Sequence, residues 1–141
     1  MKNCLIVIDA QESFRHRPYY TAHGMPAYLA AQNALIAGCV ARGVPVVRIL
    51  HVDGPAAADN AFALESGYVR PIEGLADFAA AATFYKSRHS ALVGTGLDVW
   101  LRQNRLAKSS SAASAPSNAA RPPRGMRLTW DLQWTMCWML R

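Results

Sequence analysis

Residues 5–8 read Leu-Ile-Val-Ile and run straight into Asp9. Few folds accept that sequence. An unbroken apolar run of this length, with no polar residue at alternate positions, is a strand covered on both faces, as in a parallel sheet. Asp9 then stands at the carboxyl end of the strand, the edge at which open α/β sheets bind ligands. Asp also caps turns and helices, so the strand alone leaves both readings of Asp9 open.

The following chain alternates helix and strand signals. Residues 26–42 are rich in Ala and Leu and carry apolar side chains at helical spacing. Pro26 suits the first turn of that helix, and Gly43 suits the position after its end. Cys39 is expected in the helix–sheet core. Residues 44–50, Val-Pro-Val-Val-Arg-Ile-Leu, form the second predicted strand, and the crossover makes a right-handed β-α-β unit. Residues 54–82 are Ala-rich with Gly54-Pro55 and Arg70-Pro71 punctuation, which predicts a long surface loop with a short helical piece near 74–79. Residues 82–85 form a third strand ending in Lys86. A further helix opens near Thr95, with Thr95 and Asp98 as a capping pair and Leu97, Trp100 and Leu101 on one apolar face. Residues 15–20, Arg-His-Arg-Pro-Tyr-Tyr, are a polar loop with aromatics that either lines a pocket or is solvated.

Bulk properties narrow the class. A chain of 141 residues with 52% apolar content is one globular domain at most. The net charge of +6 is unevenly spread, since residues 109–141 hold four arginines against one aspartate and so carry half of it. A basic balance permits nucleic-acid binding, but no clustered Lys/Arg run or aromatic-basic stripe supports it. The first strand is far too short to span a bilayer, and no secretory cleavage site follows it. Cys4, Cys39 and Cys137 have neither disulfide-framework nor zinc-site spacing, and a reducing cytoplasm is the expected location. A nucleotide-binding turn would need glycine after the first strand, where the chain reads Asp9-Ala10-Gln11-Glu12. No cofactor is implied.

The pattern D-x-Q-x-x-F formed by Asp9, Gln11 and Phe14 resembles the isochorismatase-like cysteine hydrolases. The stretch Lys86-Ser87-Arg88-His89-Ser90-Ala91-Leu92 resembles that family's K-x-x-x-S-A-F run, with Leu92 in place of Phe. Thr95, Leu97 and Leu101 match its T-x-L-x-x-x-L helix. The resemblance implies an α/β fold, a parallel sheet with helices on both faces, and an Asp-Lys-Cys triad acting on a small molecule. Asp9 and Lys86 would be the catalytic acid and lysine, with Gln11 and Phe14 at the substrate. Amide or imide C–N hydrolysis is the commonest family activity; isochorismatases cleave a vinyl ether instead. The resemblance leaves room for a homo-oligomer. His51-Val52-Asp53 invites comparison with the metal ligands of the related nicotinamidases, but the order differs and no second suitable His is evident, so no metal is expected.

The match covers residues 1–108, an incomplete domain, and then breaks. Here the family expects a strand followed by V-x-x-C at a helix start. The chain instead reads Ser-Ser-Ser-Ala-Ala-Ser-Ala-Pro from 109, low-complexity sequence expected to be disordered, and then Trp130, Trp134 and Trp138. A shifted reading frame accounts for the break. Read one base out of phase, the codons of residues 109–141 admit a buried strand, a loop, a cysteine at a helix start, an amphipathic helix and another strand; Asn118-Ala119 can then encode only Cys or Arg. The C-terminal strand-helix-strand is thus missing or replaced. A chain without the triad cysteine is expected to lack the activity, as a catalytically dead remnant of the fold.

Overall fold

A computed structural model describes residues 3–106 and 112–113 of the chain. Four parallel strands lie in the order β3-β2-β1-β4, where β1 is Leu5–Ile8, β2 Val46–His51, β3 Ala82–Lys86 and β4 Ala112–Ala113. Leu5 to Ile8 pair with Val46 to Ile49, and Val47 to His51 pair with Ala82 to Lys86. Ile6 and Val7 also face Ala112 and Ala113. The low-complexity stretch therefore contributes a two-residue strand; the rest of residues 109–141 lies outside the described residues.

The apolar run of β1 is explained by what covers it. Leu5 and Val7 pack on one face with Met25 and Ile36 of α1 (Met25–Ala41). Cys4 and Ile6 pack on the other face with Leu97 and Leu101 of α2 (Leu97–Gln103). Successive side chains point to opposite faces of a strand, so a strand sandwiched between helices must be apolar at every position. Val47 and Ile49 are fully buried on the α2 side, and Val46 on the α1 side. Helices thus cover both faces, as expected. Cys39 packs against the α1-side core. No helix among the described residues is long and apolar enough to cross a membrane.

The boundaries follow local chemistry. α1 closes with the N–H of Gly43 on the Val40 carbonyl (3.0 Å) and that of Val44 on the Cys39 carbonyl (2.9 Å). These two bonds make a Schellman cap, and they require the left-handed backbone that Gly43 adopts (φ +65°). Val44 is consumed by the cap and Pro45 has no N–H, so β2 begins at Val46 rather than at 44.

Two expectations are corrected. Residues 74–79 form no helix. Their backbone bonds go to Asn33 of α1, whose amide donates to the Gly74 carbonyl (2.9 Å) and accepts from the Ala76 N–H (2.7 Å). Ile72 and Phe78 meanwhile enter the core. The short helical turn of this segment lies at Leu64–Ser66. Thr95 and Asp98 also do not form a reciprocal cap. Gly96 is the N-cap, the Thr95 hydroxyl accepts the Leu97 N–H (3.2 Å), and Asp98 pairs with Arg102 one turn on.

Candidate active site

The three long strands deliver their last residues to one edge. Asp9 follows β1, while His51 and Lys86 end β2 and β3 and are partners in register. Neighbouring strands lie about 4.8 Å apart, so β1 and β3 are separated by about 10 Å across β2. A long side chain from one and a short one from the other can meet over the end of β2. Lys86 Nζ and Asp9 Oδ2 do so at 2.9 Å, with the side chains 5% and 16% exposed. The ammonium also reaches the Arg88 carbonyl at 3.4 Å.

Asp9 has φ +58°, one of only two non-glycine residues with positive φ among those described. L-residues enter this region at a cost, Asp less than most, and such residues cluster at functional sites. The turn is held by the Asp9 N–H on the Ile49 carbonyl (3.0 Å). Asp9 Oδ2 faces the lysine, whereas Oδ1 is buried with no hydrogen-bond partner among the described residues. A half-satisfied buried carboxylate is costly. The arrangement therefore presents a free acceptor beside a fixed cation.

Gln11 is fully buried, and both ends of its amide are engaged. Its carbonyl accepts the His51 N–H (2.6 Å), and its nitrogen donates to the His51 carbonyl (2.9 Å) and to Ser13 Oγ (3.0 Å). The side chain thus mimics one more peptide unit at the end of the sheet. Ser13 Oγ in turn donates to the Tyr68 carbonyl (2.8 Å), fastening the long loop. Phe14 is half-buried, edge-on to Phe62 at 5.0 Å. Of the four residues singled out by motif, Asp9 and Lys86 are in contact, Gln11 is clamped behind them on β2, and Phe14 packs on the covering loop.

Three further residues belong to this edge and lie outside the D-x-Q-x-x-F, K-x-x-x-S-A-F and T-x-L-x-x-x-L matches. The His51 ring packs edge-on to Phe62 at 5.7 Å. Burial and then the Lys86 charge hold its pKa below the ordinary imidazole value, outweighing the opposing pull of Asp9 and Asp53. Tyr28 on α1 has its phenol pushed up to about 12, first by burial and then by the negative charge of Asp9. Arg17 lies with its guanidinium 4.1 Å over the Phe62 ring. Tyr28 was within reach of sequence reasoning, since it sits one turn after Met25 on the core-facing stripe of α1. Arg17 and Phe62 meet only through the loop's tertiary path.

Neither described cysteine is at this edge. Cys4 lies at the amino end of β1, where burial raises its pKa, and Cys39 is on α1. Cys137 lies outside the described residues. No group of three or more His, Cys, Asp and Glu side chains among the described residues could hold a metal ion.

The family model of the isochorismatase domain matches residues 3–108. The chain belongs to the isochorismatase family. Solved isochorismatase-family structures share its fold. A protein from Burkholderia xenovorans assigned to the isochorismatases is 28% identical with a TM-score of 0.60, over 74% of this chain and 51% of its own. N-carbamoylsarcosine amidase from Thermoplasma acidophilum is 24% identical, with a TM-score of 0.62 over 79% and 66% of the two chains. A cysteine hydrolase from Pseudomonas syringae is 23% identical, with a TM-score of 0.62 over 81% and 59%. This isochorismatase-family chain thus spans between half and two thirds of the length of those structures. No curated protein matches it.

Proposed function

We propose that this domain is the acid–base half of an isochorismatase-family hydrolase that cleaves a small amide or imide C–N bond, with Asp9 and Lys86 serving a cysteine nucleophile. The observation that carries the reading is the 2.9 Å Lys86–Asp9 pair at the carboxyl edge of the sheet, with Asp9 Oδ1 buried and unengaged among the described residues. Asp9 takes the thiol proton, and the thiolate attacks the carbonyl carbon. The C–N bond breaks as the proton passes from Asp9 to the leaving nitrogen, and water then hydrolyses the thioester. Lys86, 2.9 Å from Asp9, sets a positive charge at this edge that favours the thiolate over the thiol.

The nucleophile belongs downstream of residue 108, in the reading frame displaced from the one given. As written, the chain lacks it and is inactive, because losing the nucleophile of such a unit costs about a millionfold in turnover. Two measurements test this. The coding DNA across codons 106–112 should show a displaced frame. The frame-restored chain should then hydrolyse small amides in an alkylation-sensitive manner, whereas the 141-residue chain should not. Alkylation-sensitive turnover by the 141-residue chain would refute the assignment.

A further inference from the structure

Four polar atoms around this edge are buried without a hydrogen-bond partner among the described residues: Asp9 Oδ1, Tyr28 OH, His51 Nδ1 and Arg17 Nε. The first three are neutral or already beside a counter-charge. Arg17 is different. Arg15 pairs with Glu12 and Glu73, and Arg102 pairs with Asp98, but Arg17 forms no ion pair among the described residues. It is nevertheless half-buried and held in place, stacked 4.1 Å above Phe62. That same ring is edge-on to both Phe14 and His51. Phe62 therefore joins the Arg17 guanidinium to His51 at the end of β2. Lys86 is committed to Asp9, and Arg17 is a half-buried cation near this edge with no carboxylate partner among the described residues.

We propose that Arg17 anchors a carboxylate of the substrate, so that the ligand is a small amide bearing an acid group. A guanidinium presents a planar fork that matches a carboxylate in two parallel hydrogen bonds, and stacking on Phe62 fixes the plane of that fork. Phe62 carries both Arg17 and His51, so the two ends share one aromatic support. The negative Asp9 disfavours an acid group beside itself, so the carboxylate goes to Arg17 and the neutral amide to the Asp9–Lys86 end. Neutral His51 adds no competing charge, and its Nδ1 is available to the ligand. This inference rests on the proposed hydrolase reading only for which end of the ligand meets Asp9; binding to Arg17 requires no turnover.

The test is isothermal titration of the 141-residue chain with succinamate, an amide carrying one carboxylate, and with neutral succinamide. Succinamate should bind about tenfold more tightly or better, the difference expected of one charge-assisted contact. Arg17→Gln should reduce the preference to within about twofold, and Arg17→Lys should keep part of it, because the charge survives while the fork does not. Circular dichroism of each variant establishes that the fold is retained. Equal binding of the two probes, binding of neither, or a preference that survives in Arg17→Gln would each overturn the proposal. Loss of hydrolysis in a frame-restored chain that keeps the charge preference counts against the hydrolase reading alone.

Discussion

Replacing Lys86 by Met tests whether the pair at the sheet edge is poised for chemistry or merely structural. At 2.9 Å the gross attraction between the two charges is about 6 kcal/mol for an effective dielectric constant of about 20. Desolvation of two mostly buried ions offsets much of this, so the intact pair contributes little net stability. Breaking it is another matter. Lys86→Met leaves a buried carboxylate with neither oxygen engaged among the described residues, at a cost of about 3 kcal/mol. Asp9→Asn alone leaves the buried ammonium without its counter-charge at a similar cost, and Asn tolerates the positive φ that Asp9 adopts. The double variant removes both charges and should be far less destabilised than the sum, with a coupling energy of at least about 2 kcal/mol. Equilibrium urea unfolding followed by far-ultraviolet circular dichroism measures all four corners of the cycle. Additivity of the two single changes to within about 0.5 kcal/mol would refute the reasoning.

Gln11→Ala should cost about 2–4 kcal/mol, because it strands the His51 N–H and carbonyl in the interior; a thermal melt unchanged from the parent would contradict the clamp. Tyr28→Phe should leave stability unchanged or raise it by up to about 1 kcal/mol, since it deletes a buried hydroxyl with no partner among the described residues; a clear loss in urea would show that the hydroxyl is engaged. His51 has a folded pKa below its unfolded value, so the folded state binds its proton less readily. Its contribution is complete above the unfolded value of about 6.5 and is lost as pH falls from there through the lowered folded pKa. His51→Phe should flatten that part of the stability–pH curve, and an unchanged slope would rule the histidine out as its source.

Much of the fold is legible in the chain because its signals are local. The apolar run of β1, the glycine that caps α1 and the strand ending at Lys86 each need only a few consecutive residues. The meeting of Asp9 with Lys86 was legible one step further on, because parallel strands put all their carboxyl ends at one edge. Residues 54–81 were not. Their path is set by Asn33 and by the insertion of Phe62, Ile72 and Phe78 into packing that no local periodicity announces. The same holds for Gln11. The motif marks it, but only the His51 backbone opposite shows that its amide is fully engaged.

The Gln11 clamp has a mechanical consequence for Asp9. The carboxylate is two residues from a side chain that grips β2 from the end, and its own N–H is tied to Ile49. A slip of β1 by one residue would turn every one of its side chains to the opposite face. The clamp fits only one alignment, so it works as a key that admits a single register. The acid therefore inherits the stiffness of the sheet rather than the looseness of the loops around it. Loop sequences over this edge can diverge, and with them the molecules they admit, without re-aiming the carboxylate.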